Sequence, residues 1–177
     1  SGGVAAAAKK VDTRPVSKLR PKAPITVSDE SSILEVAQAM AASRADAALL
    51  VSSRGVLSGI VTDNDVTRRV VSVDVDPQSS VSDVMTKNPK CVRTSDPALD
   101  ALDMMVSNRF RHLPVLDESG TIVGLLDIAK CLYEAISALE KVQGSENSNG
   151  NASSGAALAG VMATAMKQTA GSRGANK

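Results

Sequence analysis

Gly59-Ile60-Val61-Thr62-Asp63-Asn64-Asp65 is an apolar run that ends in a hydroxyl and, three residues later, a carboxylate. The run reads as a strand, and the residues after Thr62 open a helical segment. A degraded twin follows at Gly124-Leu125-Leu126-Asp127-Ile128-Ala129-Lys130, with Asp127 in place of the Thr and Lys130 in place of the last Asp. The two stretches lie 65 positions apart, and that spacing is the length of a repeat running through the central chain.

Working outward, Val56–Val61 pairs with the buried run Ala47–Val51 as a hairpin whose turn, Ser52–Gly55, ends on a glycine free to take positive φ. Upstream, Ile33, Leu34, Ala37, Met40 and Ala41 recur at helical spacing up to Ser43, and Ser32 with Glu35 forms a Ser-x-x-Glu capping box. Before that helix, Ile25-Thr26-Val27 is a short β-prone run held extended by Pro21 and Pro24. Asp63–Val71 is helical in pattern, and a turn-rich connector over Asp74–Ser80 ends the first copy.

The same order then restarts. Val81–Met85 aligns with Val16–Arg20, and the register carries Lys22/Lys87, Pro24/Pro89, Val27/Val92, Leu34/Leu99, Met40/Met105, Arg44/Arg109, Gly55/Gly120 and Gly59/Gly124 without a gap. The shared residues fall on turns and core-facing positions, where common backbone geometry restricts residue choice. In the second copy, Asp96 before Pro97 replaces the serine cap. The last apolar-periodic helix, from Ile128 through Leu139, ends near Val142. Residues 1–14 read as a flexible lead, 15–76 as the first repeat, 77–142 as the second and 143–177 as a disordered linker rich in Gly, Ser, Asn and Ala. The fold class that follows is α/β (α+β), two βαββα repeats packed with pseudo-two-fold symmetry.

A formal charge of +1 gives no electrostatic ground for nucleic acid or a membrane as partner. Phe110 and Tyr133, the only aromatic residues, supply no base-stacking surface. No run reaches the 18–20 apolar residues or so that a membrane span needs. Cys91 and Cys131 form no CxxC pair and read as buried thiols of a reducing intracellular, cytoplasmic setting. The sequence has no second histidine for an acid–base relay, no Gly-x-Ser-x-Gly and no phosphate-cradling glycine loop, so no catalytic residue is assigned and no enzyme activity is expected.

The repeated element order, the Gly-h-h-Thr-x-x-Asp element and Phe110-Arg111-His112-Leu113-Pro114-Val115 together resemble a tandem pair of cystathionine beta-synthase (CBS) domains over about residues 15–142. Gly-Ile-Val-Thr-Asp, Phe-Arg-His-Leu-Pro-Val and Leu-Leu-Asp-Ile-Ala-Lys-Cys-Leu-Tyr are similar to the first pair of plant and fungal proteins carrying four CBS domains and a Phox-and-Bem-type interaction domain. By that resemblance, and from its start at Ser1, the chain reads as a fragment.

The resemblance implies a regulatory module that binds AMP, ADP or ATP and passes occupancy to a regulated protein. A ribose offers two vicinal hydroxyls, which Asp65 suits as a two-oxygen acceptor with Thr62 beside it. The plainer alternative is that Thr62 caps the helix and Asp65 stabilises its positive end. Family resemblance places the phosphate cations on the other repeat, at Arg111 and His112, with Lys130 a further candidate. Arg111 is the stronger contact because its charge does not titrate near neutrality. His112 reads otherwise as a packed residue without the convergent ligands a metal site needs, so no metal is assigned. Asp63, Asp65 and Asp127 are carboxylates of the kind that bind Mg²⁺, but Lys130 beside Asp127 argues against it, and Mg²⁺ is expected only with ATP.

Lys130 cannot accept from ribose, and Asp46 stands in the first copy where Arg111 stands in the second, putting an acid where a phosphate would lie. Both changes fall on one of the two sites, so one competent pocket is expected. The second hypothesis is a ligand-free assembly module, since CBS pairs commonly stack through helical faces as homodimers; Ala37, Met40, Ala41, Met104 and Met105 are the candidate packing residues, with core packing as the plainer reading of them.

Overall fold

The structure, a computed structural model, describes residues 14–143. The expected lead before residue 14 and the linker beyond 143 lie outside the described residues. Among them, no helix is long and apolar enough to cross a membrane.

The first copy forms β1 (Thr26–Ser28), α1 (Ile33–Ser43), β2 (Ala47–Val51), β3 (Leu57–Thr62) and α2 (Asp63–Arg69). The second forms β4 (Thr86–Lys87), β5 (Val92–Arg93), α3 (Ala98–Ser107), β6 (His112–Leu116), β7 (Ile122–Asp127) and α4 (Ile128–Gln143). β1 lies parallel to β2 and β5 parallel to β6, and each hairpin, β2–β3 and β6–β7, is antiparallel with a register shift at the equivalent place, Leu50/Val51 and Val115/Leu116. Gly55 and Gly120 turn the two hairpins at φ +74° and +87°, a conformation that suits glycine. The expected capping box of α1 is present, with the Glu35 N–H donating to Ser32 Oγ at 3.2 Å and the Ser32 N–H to Glu35 Oε2 at 2.8 Å.

Three local expectations are corrected. The first strand begins one residue later than expected, at Thr26. α2 stops at Arg69 rather than Val71, because the chain tightens into a 3-10 turn over Val71–Val73. Asp96 does not cap α3; its Oδ2 accepts from the Arg93 N–H at 2.7 Å, closing a turn. The opening N–H of α3, on Ala98, donates instead to the Arg14 carbonyl at 2.7 Å, as that of α1, on Ile33, donates to the Ser79 carbonyl at 3.0 Å.

That last pair shows how the copies interlock. The segment leading into each repeat crosses to the other: the Val16 N–H donates to the Asp96 carbonyl and the Val81 N–H to the Ser31 carbonyl. β4 pairs with β3, and Lys22 exchanges two 2.9 Å backbone hydrogen bonds with Leu125 of β7. Val16 is fully buried in the second copy's core with Leu102, Met105, Leu113 and Leu126, while Val81 is fully buried in the first copy's with Val36, Leu50 and Val61. Each such valine contributes on the order of 1.5–3 kcal/mol of burial to the copy that it visits. Gly59 and Gly124 mark the crossings. A Cβ on Gly59 would collide with the Met85 thioether, and one on Gly124 with Pro21.

Between the sheets lies a third apolar cluster, Ala47, Leu49, Ile60 and Leu125, drawn from both copies. β2 is therefore buried on both faces, Ala48 and Leu50 toward the helices and Ala47 and Leu49 toward the other sheet, which explains its unbroken apolar run.

Candidate functional site

Thr62 ends β3 and caps α2. Its Oγ1 accepts from the Asp65 N–H at 3.2 Å, and Asp65 Oδ2 accepts from the Thr62 N–H at 3.0 Å and from the Thr62 hydroxyl at 2.8 Å. The capping function weighed from sequence is thus real. It leaves the other oxygen, Oδ1, with only Arg69 Nε at 3.4 Å, and a carboxylate offers about four acceptor positions. Arg69 is itself anchored, donating from Nη1 to the Val84 carbonyl at 2.7 Å. The cap orients the Asp65 carboxylate without using it up.

Thr62 and Asp65 open onto a cavity of about 790 Å³ whose opposite wall comes from the second copy. Arg111 and His112 line that wall, so four of the five residues singled out from sequence meet in one space. Lys90, Arg109 and Phe110 line it too and were not assigned as site residues. Arg109 takes φ +56° at the end of α3, as Arg44 takes +50° at the end of α1; this left-handed step turns the chain into the following strand. The shared Arg44/Arg109 position was legible. Its place at a cavity was not, because only the crossing of residues 81–87 brings Asn88-Pro89-Lys90 against the other copy's helix start.

Lys130 does not join them. Its ammonium donates to the Arg20 carbonyl at 2.9 Å and lies 3.9 Å from Glu134. Asp127, the twin of Thr62, is buried, with Oδ1 accepting from the Ala129 N–H at 2.8 Å and Oδ2 lying 3.4 Å from Lys22 Nζ. Burial alone would raise the Asp127 carboxyl. The Ala129 hydrogen bond and the charges of His112 and Lys22 outweigh it and hold the group below the ordinary aspartate value.

Asp46 occupies a place that the sequence did not indicate. Expected to spoil the twin pocket, it sits against two residues of the first pocket's wall: Arg111 Nη2 donates to its Oδ2 at 3.0 Å, and His112 Nε2 lies 3.3 Å from its Oδ1. Asp46 and Arg111 are equivalent positions in the two repeats, so they meet where the copies face each other. His112 is not isolated either. It stands directly across from Asp127 in the β6–β7 register, and one donor atom each from Asp46, His112 and Asp127 lie within 4.8 Å of one another.

The thiols divide. Cys131 is buried in the second core, and desolvation pushes its pKa up to about 11, whereas Cys91 is exposed, contrary to expectation. Met40 and Met105, candidates for packing between molecules, are core residues here.

The CBS domain family model matches residues 16–72 and 81–136, the two interlocked copies. The chain belongs to the CBS domain family. As a CBS pair it is 45% identical over 156 residues to the CBS domain-containing protein CBSCBSPB3 of Arabidopsis thaliana, covering 88% of this chain and 26% of that protein. It is 32% identical over 129 residues to the meiotically up-regulated gene 70 protein of Schizosaccharomyces pombe, covering 67% of this chain and 18% of that one. The CBS pair thus spans about a quarter or less of the length of these curated relatives. Among solved structures, a CBS domain protein from Pyrobaculum aerophilum complexed with AMP aligns with a TM-score of 0.65 at 25% identity, covering 73% of this chain and 98% of that one.

Proposed function

We propose that this CBS pair is a regulatory module that binds an adenine nucleotide (AMP, ADP or ATP) at one competent site. The observation that carries the reading is that one cavity joins the oriented carboxylate of Asp65 to Arg111 of the opposite repeat. Asp65 and Thr62 hold the ribose hydroxyls. Ile60, Pro89 and Phe110 offer apolar walls for the base, and Arg111, with Arg109 and Lys90, holds the phosphates. His112, its side chain only 3% exposed, forms wall rather than phosphate contact. The AMP complex of the Pyrobaculum relative supports the ligand class. Mg²⁺ enters only with ATP, and the pair itself catalyses nothing.

Coupling follows from Arg111. In the free protein its guanidinium bridges the copies through Asp46; a bound phosphate competes for it and shifts the relative stability of two arrangements of the repeats. The regulated target belongs to a longer protein, of the kind with four CBS domains and a Phox-and-Bem-type domain, or to a separate partner in a reducing cytoplasmic setting. Tyr133 and Ile136, exposed three residues apart on α4, suit the homodimer through helical faces. Calorimetric titration with AMP, ADP, ATP and GTP tests the proposal. Saturable binding of at least one adenine nucleotide at one per chain is expected. No heat and no thermal stabilisation with any of them, together with a dimeric mass in solution, would leave the assembly module as the function.

A further inference from the structure

Asp46, His112 and Asp127 form a cluster that the nucleotide reading uses only in part, Asp46 as the partner of Arg111 and His112 as wall. His112 is 8% exposed, and neither ring nitrogen makes a hydrogen bond; Nε2 is near Asp46 Oδ1 but misaligned for one. A buried ring nitrogen left without a partner bears its full desolvation penalty, so this arrangement is destabilising unless a ligand completes it. It is held there beside two carboxylates that repel each other, in a chain with no other histidine. We propose that Asp46, His112 and Asp127 bind a divalent first-row metal ion of the Zn²⁺ class at the seam between the two repeats.

The donor set fits that class. Two carboxylates and a neutral imidazole bring two negative charges, and one nitrogen with two oxygens suits Zn²⁺ better than Mg²⁺ or Ca²⁺, which want six or more oxygens. Donors around a tetrahedral Zn²⁺ at about 2.0–2.1 Å stand roughly 3.3 Å apart. The Asp46 Oδ1 to His112 Nε2 distance is 3.3 Å, and the cluster's outer limit of 4.8 Å leaves roughly 1.5 Å to close by the same tetrahedral geometry. Asp46, with a side chain 36% exposed, has the freedom to rotate inward. Asp127 is already oriented by its hydrogen bond from Ala129, the kind of outer contact that fixes a ligating carboxylate. Arg111 and Lys22, which now cover the two acids, are more than half exposed and are free to swing into solvent when a cation replaces them. Water completes the coordination. The site stands whether or not the cavity takes a nucleotide.

The lone histidine makes the test specific. The 177-residue chain without a histidine tag is titrated with ZnCl₂ while the ¹⁵N shifts of the single imidazole are followed. One ring nitrogen is expected to move to the metal-bound range and saturate at one equivalent, with MgCl₂ at the same concentration leaving it unmoved. Asp46→Asn, at a half-exposed position that keeps the fold by circular dichroism, is expected to weaken Zn²⁺ binding at least tenfold. An imidazole that stays unshifted at saturating Zn²⁺, an equal response to Mg²⁺, or an Asp46→Asn protein that titrates like the wild type would overturn the assignment. Zinc held by the exposed Cys91 would leave the imidazole spectrum unchanged and so counts against the site.

Discussion

Removing Asp46 should strengthen nucleotide binding. In the free protein the Arg111 guanidinium is held by Asp46 at 3.0 Å, with the two side chains 55% and 36% exposed. A phosphate must break that pair before it gains Arg111. Coulomb's law at 3.0 Å in a water-like dielectric gives about 1.4 kcal/mol of attraction before side-chain ordering and screening are subtracted, and exposed pairs measured by double-mutant cycles contribute a net of about 0.2–1 kcal/mol. Asp46→Ala therefore lowers the dissociation constant for AMP by about 1.4- to 5-fold, the same free energy converted at RT. Adenosine has no phosphate to compete with Asp46, so its affinity stays unchanged. Calorimetry on EDTA-treated wild type and Asp46→Ala, with AMP and adenosine at 20 and 150 mM salt, reads the difference, which should shrink as salt screens the pair. An AMP affinity that is unchanged or weaker in Asp46→Ala, or an equal gain for adenosine, would refute the competition between Asp46 and phosphate for Arg111.

Further outcomes follow from the fold and the titratable groups. Gly124→Ala should destabilise the protein by about 1–3 kcal/mol in urea unfolding, because the new methyl meets the rigid Pro21 ring; Gly59→Ala should cost less, since the Met85 thioether it meets is flexible. The Asp127 carboxyl is depressed in the folded state, so its contribution is present above the ordinary aspartate value of 3.8 and is lost as pH falls through the lower folded value. Acid unfolding should accordingly be less steep in Asp127→Asn than in the wild type. One thiol, Cys91, should react with a disulfide reagent in the native protein at neutral pH and two after unfolding, since Cys131 is buried with a pKa near 11.

The repeat was legible because its geometry imposes residue types. Gly55 and Gly120 turn hairpins, Ser32 with Glu35 announces a helix start, and β2 reads as an unbroken apolar run because both its faces are covered. The exchange of leading segments was not legible. Val16 and Val81 look alike whichever core they enter, and only hydrogen bonds such as Val16 N–H to Asp96 show the crossing. The same limit applied at the site. Thr62 and Asp65 carry their spacing in the local sequence, whereas Lys90 and Arg109 reach the cavity through tertiary packing. Asp96 was misjudged because an acid before Pro97 serves a turn as readily as a helix, and the Arg14 carbonyl supplied the cap instead. Asp46 and His112 are 66 positions apart, a distance over which no sequence pattern signals contact.

The central claim is that Asp65 holds a ribose while its twin position, Lys130, does not. Calorimetric titration of AMP into the wild type, Asp65→Ala and Lys130→Ala tests it directly, each variant first checked for its fold because the α2 cap contributes about 1 kcal/mol. The expected result is a loss of roughly 1.5–3 kcal/mol of binding in Asp65→Ala, about 10- to 150-fold, with Lys130→Ala binding as the wild type does. Equal AMP affinity in the wild type and Asp65→Ala would contradict it.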